Sequence, residues 1–203
     1  MSKPTTKTAT KSRTHEKQET APKQQSAASA SAPSDGGAKT ARRENAEKGF
    51  VASTALTDCM QAVLVDLIEL QIQGKQAHWN VVGRNFRDTH LQLDEIVAAA
   101  RAFGDEVAER MRALHAVPDG RSKTVSATTT LPDYPQGEVD TAETIDLITA
   151  RLERTVATMR SVHDTVDEED PTSADLLHAV IARLEQLAWM VSAENRTPAA
   201  ARS

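Results

Sequence analysis

The residues from His78 to Met111 read HWNVVGRNFRDTHLQLDEIVAAARAFGDEVAERM, and Gly83 divides them into the end of one helix and the start of another. Asn85 is a suitable N-cap for a helix running to about His115. At ~100° per residue counted from His90, Asp94 falls at about 40°, Asp105 at about 60° and Glu109 at about 100°. These side chains share one stripe. Leu93, Ile96, Val97, Ala100, Phe103, Val107, Met111 and Leu114 fall at roughly 220° to 340°, a separate stripe that must face a core. The helix therefore has one burying face and one face of ligand-type side chains.

Imidazoles and carboxylates without thiolate suit a hard-to-borderline metal such as iron, manganese or zinc. His90 and Asp94 lie one turn apart and can converge, as can Asp105 and Glu109, but about eleven residues of helix, or ~16 Å, separate the two pairs. No single ion touches both. A complete site needs a second copy of the helix, antiparallel across a two-fold axis, so that His78, His90 and Asp94 of one subunit meet Asp105 and Glu109 of another. The plainer alternative is a row of solvated helix charges paired with Arg101, Arg110 or Arg112. Against it stands the placement of all these acids in one angular sector with the histidines.

The HWN-V-V-G segment, then NF, H-x-x-x-D-E and D-x-x-x-E-R, resembles the ferroxidase signature of the Dps family, the DNA-binding miniferritins of starved bacteria. The resemblance extends over about residues 56 to 195. It implies that His78, His90, Asp94, Asp105 and Glu109 are catalytic iron ligands shared between two-fold-related subunits, two ions to a site. None of the five is missing. It also implies a hollow shell of twelve subunits, whereas the spacing alone implies a two-fold pair.

The chain has 203 residues, which suits one domain plus a tail, and its formal charge of -5 conceals two opposite parts. Residues 1–49 hold ten basic side chains (Lys3, Lys7, Lys11, Arg13, Lys17, Lys23, Lys39, Arg42, Arg43 and Lys48) against five acids, a net of +5. The remainder carries fourteen basic and twenty-four acidic residues, a net of -10. A basic arm on an acidic body implies a polyanionic partner, and those ten residues are the DNA-binding candidates. The arm contains no Val, Leu or Ile before Val51, so it cannot bury enough surface to fold alone and is expected to be disordered. A single cysteine, Cys59, excludes an internal disulfide and suits a reducing compartment. No apolar signal-peptide region and no membrane-length segment are present, so a cytoplasmic, nucleoid-associated location without a membrane partner is expected.

From about Ser53 the pattern turns helical, with Leu56, Met60, Val63, Leu67, Leu70, Gly74 and Ala77 recurring at three and four up to the HWN segment. After Val117-Pro118-Asp119-Gly120 a long connection with Pro132, Pro135 and Gly137 reaches a new helix start near Asp140-Thr141. A third helix carries Ile145 to Val166, and a fourth, opened by Asp170-Pro171, carries Leu177 to Val191. The expected fold is all-α: a ferritin-like four-helix bundle over residues 50–196 with one long crossover, between a basic tail (1–49) and a short flexible tail (197–203). The resemblance adds a short helix within Thr124 to Thr130. Bundles that hold two metals inside one subunit use Glu-x-x-His motifs. Here only Asp175-x-x-His178 comes close, which favours a site between subunits.

Among other residues, Asp167, Glu168, Glu169, Asp170 and Asp175 concentrate negative charge at the start of the fourth helix. Helix capping is one account. The family's acidic three-fold pores supply another, with Asp170 and Asp175 as pore candidates, although Ala179 stands where some relatives have a further acid. Trp79 and Trp189 are expected in a core or an interface. The resemblance makes Trp79, beside a ligand, a candidate for intercepting radicals. His115 and His163 read as structural, and Cys59 as a small buried residue instead of a nucleophile. The resulting function is a ferroxidase that uses hydrogen peroxide, stores ferric iron in a homo-oligomeric shell and binds duplex DNA without sequence specificity. The rivals are a DNA-compacting protein with incidental iron, and a plain iron store that uses oxygen.

Overall fold

The computed structural model describes residues 49–198. The elements in order are α1 (Thr54–Asn80), β1 (Val81–Val82), α2 (Phe86–Ala113), α3 (Ser122–Thr128), β2 (Val139–Asp140), α4 (Thr141–Glu169), α5 (Pro171–Ser192) and a 3-10 turn (Ala193–Asn195). The chain is a four-helix bundle with one long crossover that carries the short helix α3. Helix α1 packs mainly on α2 and α4, and α4 on α5. The expected core stripe faces inward: Leu93, Ile96, Ala100, Val107 and Met111 are buried against Leu56, Met60, Leu67 and Leu70 of α1 and Ile148, Leu152, Leu177 and Leu184 of the other pair. Helices α1 and α2 approach so closely that a Cβ on Gly74 would lie 2.9 Å from Val97 Cγ2, which explains glycine in that helix.

The helix ends follow identifiable caps. Ser53 Oγ accepts from Leu56 N at 3.1 Å and itself donates to Glu169, tying the start of α1 to the end of α4. Asp140 Oδ1 accepts from Ala142 N and Glu143 N at 2.9 and 3.1 Å. Asn85 marks the start of α2 but does not cap it through its side chain: it sits in the left-handed region (φ 58°), and its carbonyl accepts from Asp88 N and Thr89 N. At the other end of α2, His115 takes a positive φ of 63°. His115 N donates to Arg112 O and Ala116 N to Met111 O, the bond pattern of a Schellman ending with histidine where glycine is usual.

Two devices hold the crossover. Val81 and Val82 pair in parallel with Val139 and Asp140, a two-residue bridge with no helical signal to announce it. Deeper, the fully buried Asp66 on α1 accepts from Thr130 N at 2.8 Å, Thr129 Oγ1 at 2.9 Å, and the hydroxyls of Thr130 and Thr158 at 2.7 Å each. All four donors lose their partner together in Asp66→Ala. That substitution should lower stability by about 3 kcal/mol, read from the chemical denaturation midpoint, with the helical circular dichroism retained. A loss below about 1 kcal/mol would show that the threonines re-partner among themselves.

Neither tryptophan lies in the core of the subunit: Trp79 is 68% and Trp189 61% exposed. The core alternative does not hold for either. No described helix is long and apolar enough to cross a membrane. The ten basic residues of the arm lie outside the described residues, as do most of residues 197–203.

Candidate metal centre

His78 stands two residues before the end of α1, and His90 and Asp94 stand on the second and third turns of α2, so the tight β1 link brings the three together. Gly83, at φ +114°, makes the reversal. The histidines fix each other. His78 Nδ1 lies 3.1 Å from His90 O and His90 Nδ1 lies 2.9 Å from His78 O, while the rings stack at 3.6 Å between centroids with 24° between planes. With each Nδ1–H donated to a carbonyl, each Nε2 keeps its lone pair free, the tautomer a metal ligand needs. Phe86 packs on His90, with centroids 5.1 Å apart. One ligand atom from each of His78, His90 and Asp94 lies within 4.8 Å of the others, making this the one group among the described residues with three such donors in metal-binding reach.

A cation already stands at the oxygen ligand. Lys75 Nζ is 2.6 Å from Asp94 Oδ1, and His78 Nδ1 is 3.3 Å from the same oxygen. The hydrogen bond from Lys75, joined by the charges of Lys75 and the imidazoles, holds the Asp94 carboxyl below the ordinary carboxylate range against the desolvation that would raise it. Asp94 is therefore anionic at neutral pH and ready to bind a cation. The i, i+19 pairing of Lys75 with Asp94 is a contact the angular reading of α2 alone could not reveal.

Asp105 and Glu109 do not join this group. They lie exposed, further along α2. A groove of about 870 Å³ between α1 and α2 runs along this face, and both Asp94 and Asp105 line it together with Lys75, Arg101, Ile68 and Val97. Ile72, Leu91 and Trp79 are large apolar side chains exposed on the same two helices.

At the start of α5, Asp170 is buried and Arg110 Nη2 reaches its Oδ2 at 2.6 Å, while Ser173 donates to the same oxygen. Burial alone would raise its pKa, but the bonds from Ser173 and Arg110 outweigh it and hold the carboxyl below its ordinary value. Asp175 instead is exposed. His163, read from the sequence as structural, and His178, noted there only in Asp175-x-x-His178, meet across α4 and α5 at 2.7 Å. Their positions fifteen residues apart on different helices leave no local periodicity to flag them. Cys59 is half-buried, and desolvation, aided by Asp58 and Glu169, pushes its thiol pKa up, the opposite of what a nucleophile needs.

The ferritin-like domain family matches residues 58–197. The chain is 36% identical over 134 residues to DNA protection during starvation protein 2 of Deinococcus radiodurans, covering 66% of this chain and 56% of that relative. It is 37% identical over 138 residues to the fine tangled pili major subunit of Haemophilus ducreyi, covering 68% of this chain and 73% of the relative. Among solved structures it is similar to Dps92 of Deinococcus radiodurans, with a TM-score of 0.68 and 34% identity over 71% of this chain and 88% of that one.

Proposed function

The chain belongs to the Dps family of ferritin-like proteins, and from that premise we propose that it is a ferroxidase whose site is completed by a second copy of itself. One observation carries the reading. One ligand atom from each of His78, His90 and Asp94 comes within 4.8 Å of the others, and Asp94 lines a groove that Asp105 also lines further along α2, so half a site faces the place where an antiparallel copy would bring Asp105 and Glu109. Two nitrogens and three carboxylates make a donor set that holds ferrous iron and favours the ferric product, since anionic oxygen stabilises the higher charge.

Two ferrous ions held at one such site each give one electron to hydrogen peroxide. The O–O bond breaks, two protons are taken up and two waters leave, so no hydroxyl radical is released. The ferric product passes to storage inside a shell, a dodecamer in this reading. Trp79, exposed beside His78, would quench an oxidising equivalent that escapes. Of the pore candidates, Asp170 is buried and engaged by Arg110, whereas Asp175 is exposed to solvent beside His178. The basic arm of residues 1–49 would bind duplex DNA without reading sequence, at a cytoplasmic, nucleoid-associated location. The test is anaerobic oxidation of ferrous iron with limiting peroxide, compared with oxygen alone. Two ferrous ions consumed per peroxide, without a hydroxyl spin adduct, and at a faster rate than with oxygen, support the reading. One ferrous ion per peroxide with a strong adduct would overturn it.

Lys75 gives a separate expectation. Its ammonium holds Asp94 Oδ1, so a metal that binds through that oxygen has to displace it. Lys75→Met should tighten binding of ferrous ion about two- to fivefold, the range of an exposed ion pair. Anaerobic titration measures this, and a weaker affinity in the variant would mean that Lys75 supports the ligands instead of competing for them.

A further inference from the structure

We propose that His163 and His178 form a second metal site, built within one subunit and suited to a late first-row divalent ion such as zinc. His163 lies on α4 and His178 on α5, and their Nε2 atoms face each other at 2.7 Å, with ring centroids 4.6 Å apart and planes tilted by 31°. Each ring has an acid at its other nitrogen: Asp164 Oδ1 is 3.2 Å from His163 Nδ1, and Asp175 Oδ1 is 3.6 Å from His178 Nδ1. The Asp164 carboxylate is within hydrogen-bond reach of His163 Nδ1, the arrangement that orients a metal-bound imidazole and makes it a stronger donor, while Asp175 adds negative charge beside His178. At 2.7 Å one Nε2–H donates to the other Nε2, and a metal ion that takes both lone pairs replaces that shared proton.

A metal ion fits that spot with little movement. Zinc binds imidazole nitrogen at 2.0–2.1 Å, so two tetrahedral ligands sit about 3.3 Å apart, and the rings must open by only about 0.6 Å. The side chains are 23% and 58% exposed, so rotation is not blocked. They border a cavity of about 350 Å³, with Arg160, Asp164, Ala182 and Glu185 around it, which leaves room for water in the open positions. Arg160 is paired with Glu185 and so does not stand as a free charge against the ion. The donor set differs from that of the interface site. Two imidazoles and water, without converging carboxylates, favour zinc, nickel or copper(II) over ferrous iron.

The experiment uses the full-length protein carrying His78→Ala and Glu109→Ala, which silences the interface site, and zinc chloride as the probe. Calorimetric titration should find one zinc per chain. Adding His163→Gln or His178→Gln should weaken that binding at least tenfold. Native mass and circular dichroism check that each variant remains assembled and helical. Crystals of the same protein soaked in zinc should show an anomalous peak between the two Nε2 atoms. Unchanged affinity in both glutamine variants, or an anomalous map without that peak, would overturn the proposal.

Discussion

His78→Ala and Glu109→Ala are each expected to slow ferrous oxidation by on the order of 100-fold or more, since even groups that only support metal ligands cost 10- to 100-fold when removed. The two defects lie on opposite sides of one site if that site spans two subunits, and this makes them complementary. In a pair formed by one subunit of each variant, one site combines the damaged histidine side with the damaged carboxylate side. The other combines an intact His78, His90 and Asp94 with an intact Asp105 and Glu109. Random mixing in equal amounts puts half of the subunits in such pairs, so about a quarter of all sites should recover. Activity near a quarter of wild type in shells refolded from the mixture, against almost none in either variant alone, is the expected result. Mixed oligomers confirmed by native mass that stay inactive would place the site elsewhere.

Much of this geometry is written locally. Helix periodicity places Leu93, Ile96 and Val107 on one side of α2 and Asp94, Asp105 and Glu109 on another, because a helix repeats every few residues whatever it packs against. Caps at Ser53 and Asp140 and the Asp170-Pro171 start are legible for the same reason, since each acts within its own turn. What escapes is whatever depends on a second element. Asp66 looks like one polar residue in an apolar helix until the crossover folds Thr129 and Thr130 onto it. Lys75 and Asp94 form a pair only because Gly74 lets α1 lie close to α2. Asp170 reads as a helix cap or a pore acid, whereas Arg110 of α2 claims it. His163 and His178 become a pair only when α4 and α5 align. The β1–β2 bridge is two residues long, too short for any alternating pattern to accumulate.

The largest effect outside the metal site should come from the arm. Ten basic residues without an aromatic to stack on bases can neutralise phosphates but have little means of reading base edges, so binding should be independent of sequence. A single arm of net charge +5 on a body of -10 is a weak ligand for a duplex, because the body repels what the arm attracts. Repetition over an oligomer changes the balance, since each contact after the first forms at high effective concentration and overall avidity can exceed a single affinity by about 10²–10⁴. A variant that starts at Phe50 should therefore assemble, oxidise iron at the full rate and lose about 100-fold or more in apparent affinity for duplex DNA at low salt. The full-length protein should retard duplexes of unrelated sequence equally, and its affinity should fall steeply between about 50 and 200 mM salt, as counterion release requires. Gel retardation of the two proteins at matched salt checks both expectations. Equal affinity would remove the arm from the interface, and the C-terminal segment with Arg196 and Arg202 would then be the basic element left to carry the contact.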